Sequence, residues 1–169
     1  MAIDVTAGSA TAVAYGSAAE AATYFTARGI STWTGTEGDK EEALIRGCDY
    51  LERLYAGRWV GVKTSSTQAL AWPRAYVNDL DGYPIASDAI PTAIKRANFE
   101  AALLILTGTD LEPVLTRGNA IKRKKVKAGP AEVETEYDGG APTRSTVTSI
   151  DGLLTGFITN SNGIDLLRA

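Results

Sequence analysis

The sequence predicts a mainly α protein: a small helical bundle of three to four helices with a long irregular loop and one β-hairpin. Three observations predict this. Leu44, Cys48, Leu51 and Tyr55 follow the i, i+4, i+7, i+11 spacing of one buried helical stripe. Residues 57–90 mix Gly, Pro, Asn, Asp and Ser over a length beyond a normal connection. Glu132-Val133-Glu134-Thr135-Glu136 alternates in period two, the mark of a strand. A chain of 169 residues suffices for one domain with a modest core. The expected organisation is an N-terminal arm over 1–16, a helical core over 17–138 with its hairpin at 120–138, and a linker and C-terminal tail over 139–169.

Residues 1–16 are small and weakly patterned, and read as an extended arm. Ser17-Ala18-Ala19-Glu20 is a capping-box pattern that starts a first helix, expected to run to about Arg28 with Gly29 as its left-handed stop. Tyr24 and Phe25 are its core anchors. Gly35 to Gly38 reads as a loop, and the second helix runs from near Asp39 to near Tyr55. In the long loop, Trp59, Trp72, Tyr76 and Tyr83 are the side chains expected to pin it to the helices. A third helix begins at Pro91, where a missing N–H costs little, and stops at Gly108. Its face of Ile94, Ala97, Ala101, Leu104 and Ile105 is widened by Phe99, Leu103 and Leu106, which suits a central helix or a partner contact.

The hairpin has a basic arm, Lys122-Arg123-Lys124-Lys125-Val126-Lys127, and an acidic one. A turn centred on Gly129-Pro130 sets Lys127 opposite Glu132, Lys125 opposite Glu134, and Arg123 opposite Glu136. The alternate positions pair Val126 with Val133, Lys124 with Thr135, and Lys122 with Tyr137. A Gly/Pro/Thr linker over 139–148 leads to a short helix at Ser149 to Leu154. The tail holds Phe157, Ile158, Ile164, Leu166 and Leu167, an apolar set that fits a partner surface.

Composition narrows the chemistry. Histidine is absent, and Cys48 is alone on the buried stripe. No Ser-His or Cys-His nucleophile, CxxC metal pair or intrachain disulfide can form within this sequence. Gly57 to Thr64 only superficially resembles a phosphate loop: three residues separate its glycines and Val62 precedes Lys63. Asp79, Asp81 and Asp88 are turn formers without the rest of a calcium loop. The expectation is a protein that is not an enzyme and needs no cofactor or metal. The net charge of −3 gives no general attraction to nucleic acid or membrane, but the 122–127 cations could neutralise phosphates. Trp59 and Trp72 could stack bases, although Trp in a long loop more often plugs it to the core. The longest strongly apolar run, Ala101 to Leu106, is too short to span a bilayer, and Met1-Ala2-Ile3-Asp4 has no signal-peptide pattern. The expectation is synthesis in the cytoplasm without membrane association.

Several segments resemble the head–tail adaptors of long-tailed phages, the connector family. These are Ala14-Tyr15 with Ser17, Glu20 and Tyr24-Phe25; Glu42-Ala43-Leu44-Ile45 with Tyr50-Leu51-Glu52-Arg53; and above all Gln68-Ala69-Leu70-Ala71-Trp72-Pro73-Arg74 followed by Asp81-Gly82-Tyr83 and Ile90-Pro91. Such sequences are also labelled DnaT-like single-stranded-DNA-binding proteins. The resemblance covers roughly residues 14–138. It implies a helical bundle with a hairpin and no catalytic residues. It also implies a homo-oligomeric ring, dodecameric in the family, between the portal protein and stopper or tail proteins of the virion, made in the host cytoplasm. Double-stranded DNA would pass through its lumen without sequence specificity. Trp59, Trp72, Pro73, Arg74 and Tyr83 are then loop anchors. Lys122, Arg123, Lys124, Lys125 and Lys127 are candidates for DNA or subunit contact, and Phe157, Ile158, Ile164, Leu166 and Leu167 for portal contact. The alternative function is a single-stranded-DNA-binding module.

Overall fold

The computed structural model describes residues 3–112, 124–128, 131–135 and 147–159. The chain divides into two compact units, one of Met1–Leu111 with Val147–Ala169, the other of Glu112–Thr146. Of the described residues, 147–159 group with the helices, and the hairpin strands lie in the other unit.

The first unit holds four helices: α1 (Ala18–Thr26), α2 (Glu37–Leu54), α3 (Thr92–Leu106) and α4 (Thr148–Leu153). The mainly α architecture is as expected. α1 starts at the predicted capping box: the Ser17 hydroxyl accepts from Glu20 N–H, and the Glu20 carboxylate accepts from Ser17 N–H. Phe25 is buried, whereas Tyr24 is half-buried. α2 begins two residues earlier than expected, because Thr36 and Asp39 form a second capping box. Those hydrogen bonds hold the Asp39 carboxyl below the usual range. The predicted stripe of Leu44, Cys48, Leu51 and Tyr55 is buried.

α2 and α3 form the centre of the unit. Gly47 lets them approach closely, since a Cβ there would lie 2.9 Å from the backbone nitrogen of Ala102. At the same crossing Asn98 is fully buried, donating from Nδ2 to Leu44 O at 2.9 Å and accepting from Tyr15 N–H at 3.1 Å. One amide thus satisfies two backbone groups from different parts of the chain. On α3, Ile94, Ala97 and Ala101 are buried, while Leu104 and Ile105 are half-buried.

The N-terminal segment is not an extended arm. Asp4 accepts from the Ser9 and Thr11 hydroxyls, both at 2.6 Å, which keeps its carboxyl well below the usual range. Val13 N–H donates to Asp4 O, and Ala69 N–H donates to Ser9 O. Ala14 and Tyr15 are fully buried. The reason is long-range: Tyr15 finds partners on α2 and α3 that no local pattern reveals.

The long loop carries a short antiparallel ribbon, β1 (Val62–Lys63) with β2 (Arg74–Ala75), that period analysis did not anticipate. Two-residue strands leave no alternation to detect. In the second unit, β3 (Lys124–Ala128) pairs with β4 (Ala131–Thr135). The register is the expected one: the Cα partners are Lys127 and Glu132, Val126 and Val133, Lys125 and Glu134, Lys124 and Thr135. The predicted partners Arg123–Glu136 and Lys122–Tyr137 fall outside the described residues.

Candidate nucleic-acid interface

The segment Gln68–Arg74 is fastened from both sides. Gln68 is buried and donates from Nε2 to Leu70 O at 2.9 Å and Pro73 O at 3.0 Å. Its Oε1 accepts from the Thr64 hydroxyl and Ser65 N–H. The Arg74 guanidinium ties the loop to the residues just before β1: Nε donates to Val60 O at 2.6 Å, Nη2 to Gly61 O at 2.6 Å, and Nη1 to Ala71 O at 3.3 Å. A planar fork of five donors suits this task, and an ammonium does not. On the opposite side, Glu52 of α2 accepts from Ala71 N–H at 3.0 Å and from the Tyr15 hydroxyl. Nothing local in the sequence signals this role for Glu52, since both of its partners lie in distant segments. Trp72, preceding a cis peptide to the buried Pro73, packs edge-on against Trp59 and Phe157.

The expected loop anchors therefore separate. Trp59, Trp72, Pro73 and Arg74 hold the loop, with Trp59 and Trp72 buried. Their rings are sealed into the core, so neither can stack a base. Tyr83 and Tyr76 do not anchor: Tyr83 is 70% exposed and Tyr76 is 91% exposed. Only the backbone of Tyr83 is engaged, through Asp79, whose Oδ1 also accepts from Asp81 N–H. This is the turn chemistry expected of those aspartates. Among the described residues no group of three potential ligands could hold a metal ion.

Phe157 and Ile158, expected at a partner surface, lie against the chain's own loop. Phe157 O accepts from Val60 N–H, Ile158 bridges to Trp59, and Thr159 N–H donates to Arg58 O at 2.7 Å. Both are half-buried and pack against the core of their own unit. Ile164, Leu166 and Leu167 lie outside the described residues, as do Lys122 and Arg123. Lys124, Lys125 and Lys127 lie on β3. Cys48 is buried, and burial, then the charges of Glu52 and Asp49, push its thiol far above the ordinary range. It is an inert core thiol, as expected.

Charge is unevenly distributed between the two units. Glu112–Thr146 holds seven Lys or Arg against five Asp or Glu, a net of +2. The remainder holds ten against fifteen, a net of −5, and the two sum to the whole-chain −3. A polyanion is attracted to the hairpin unit and repelled by most of the other. Among the described residues no helix is long and apolar enough to cross a membrane.

A family model described as "Putative DnaT-like ssDNA binding protein" matches residues 1–169. No curated protein and no solved structure matches the chain.

Proposed function

The chain belongs to the DnaT-like ssDNA-binding family, and from that premise we propose that it is a non-enzymatic protein that engages single-stranded DNA through the cations of its hairpin unit. The observation that carries this reading is the charge segregation: the run 122–127 has five cations in six residues within the unit of net +2. Cα pairing sets Lys125 and Lys127 opposite glutamates, but sets Lys124 opposite Thr135. Each phosphate neutralised releases counterions, with a slope of about −0.7 in log affinity per log salt on single strands. Five effective cations would weaken binding about 100-fold between 50 and 200 mM salt, and three only about 20-fold. The slope therefore counts how many of these cations the glutamates leave available.

The test is a salt titration of fluorescein-labelled oligothymidylate binding, followed by anisotropy. The combined Lys122→Gln, Lys124→Gln and Lys125→Gln variant is expected to flatten the slope by about 2. No binding of the unaltered protein at low salt ends this reading.

A second reading, the head–tail adaptor ring between portal and stopper or tail, is favoured by one feature. Leu103 to Leu106 on α3 remain only half-buried in the isolated chain, and Ala43, Ile105 and Leu106 line an open groove with Arg46. A heterologous ring contact would cover such a face. The family description speaks for DNA contact more directly than for this assembly. Electron microscopy of the protein mixed with its portal should show a stacked ring, and a persistent monomer that never joins the portal would remove the reading.

A further inference from the structure

Among the described residues the exposed large apolar side chains are Val62, Tyr76, Leu80 and Tyr83, and all of them lie in the long loop. Tyr76 is unusual in a second respect. Its φ is 59°, left-handed, and no other described non-glycine residue has a positive φ. Side chains with a Cβ are strained there, and a bulky ring in that region is an outlier.

The surrounding backbone explains the bend but not the tyrosine. Gly61, itself at φ 68°, packs directly under this segment: a Cβ on Gly61 would overlap the carbonyl oxygen of Ala75 and the side chain of Val77. The bend at Tyr76 carries the chain from the β1–β2 ribbon to Val77, which is buried. Glycine or asparagine would make the same bend with less strain. The fold therefore holds a ring in solvent, in a strained conformation, where its own packing does not need one. Strain of this kind concentrates at sites that contact a ligand.

Charge indicates which ligand. From Leu54 to Asn78 the sequence holds Arg58, Lys63 and Arg74 and no Asp or Glu, within a unit whose net charge is −5. Lys63 is exposed on β1, the strand paired with β2 directly before Tyr76. Its ammonium donates to Gln68 O at 3.4 Å and, among the described residues, makes no ion pair, leaving donors for a phosphate. Tyr83 and Leu80 stand in the opposite setting, beside Asp79 and Asp81.

We propose that Tyr76 is a base-stacking residue: its exposed ring receives one unpaired nucleobase of single-stranded DNA while Lys63 holds an adjacent phosphodiester. This rests on the single-strand-binding reading above, and it adds a site on the first unit, independent of the hairpin. Stacking is tolerant of sequence, because every base has a π-face.

The test compares the full chain with Tyr76→Gly and Tyr76→Phe, using labelled oligothymidylate and the corresponding duplex. Tyr76→Gly is expected to weaken single-strand binding roughly 5- to 150-fold without changing the salt slope, since the lost ring carries no charge. Tyr76→Phe keeps the ring and should stay within about threefold of the original. Photocrosslinking of a bromodeoxyuridine oligonucleotide should label the peptide containing Tyr76. If the original protein binds and Tyr76→Gly binds equally well, the inference falls and the hairpin reading stands. If the original protein does not bind at low salt, both fall. Loss of self-association rather than of oligonucleotide binding in Tyr76→Gly overturns the inference in favour of a protein contact.

Discussion

Trp72 and Tyr76 are four residues apart in one loop, yet Trp72 is 1% exposed and Tyr76 is 91% exposed. The stretch 68–74 is tied by Gln68, Arg74 and Glu52 to backbone groups on each side, so its ring is locked in the core. The stretch 76–83 is organised mainly by its own turn, around Asp79, and apart from the buried Val77 its large apolar side chains, Tyr76, Leu80 and Tyr83, face solvent. The residues that resemble a family most sharply are those that build the loop. The residues available to a ligand follow just after them. A specific sequence signature can thus mark a buried scaffold while the exposed side chains follow it.

The largest test of this contrast is Trp72→Ala. Removing a fully buried indole that touches Trp59 and Phe157 should cost about 3–5 kcal/mol, read from denaturant unfolding. A loss below 1 kcal/mol would show that the loop is not held by this ring. Next is Arg74→Lys, which keeps the charge but loses the fork. It leaves carbonyls of Val60, Gly61 and Ala71 without their shared donor, at an expected cost of about 1–3 kcal/mol. Full stability in this variant would mean that charge, and not geometry, fixes the loop.

A third test uses pH. Burial, then nearby carboxylates, raise the phenols of Tyr15 and Tyr55 above their ordinary value of about 10. A folded-state value above the unfolded one means that this contribution is complete below about pH 10 and is lost as pH rises beyond it. The protein should keep its neutral-pH stability up to that point. The part of the tyrosinate absorbance that is absent from the Tyr15→Phe and Tyr55→Phe variants should then appear together with helix loss by circular dichroism. Ionisation of these buried phenols without unfolding would contradict the tie from Tyr15 through Glu52 to Ala71.

The smallest effect belongs to Tyr76→Gly. Release of left-handed strain gains about 1–2 kcal/mol, and the greater freedom of glycine in the unfolded chain costs about 0.5–1. The exposed ring adds little burial, so thermal stability should be unchanged or slightly higher. A marked loss would show that Tyr76 is an anchor after all, and would erase the contrast with Trp72.

Much of the architecture is legible from neighbours in sequence. The Ser17 capping box, the buried stripe on α2, the start of α3 after Pro91 and the hairpin register each have a cause within a few residues. The Thr36–Asp39 cap could have been found by the same rule, had Asp been admitted at its third position. The candidate site was less legible. Tyr76 and Tyr83 look like anchors by composition, but Tyr76 sits at a left-handed bend and Tyr83 in the turn held by Asp79, and both are exposed.

What the sequence determined by itself is the inventory and the local geometry: no histidine, one buried thiol, helices bounded by caps, and a hairpin whose basic and acidic arms face each other. What only tertiary structure decided is pairing at a distance. Asn98 meets Tyr15 across 83 residues and Leu44 across 54, and Tyr55 bonds Asp151 across 96. The physical reason is that caps, stripes and registers arise from interactions of short range along the chain. Burial is shared among segments, so which aromatic ring is sealed and which is displayed follows from the packing of the whole unit.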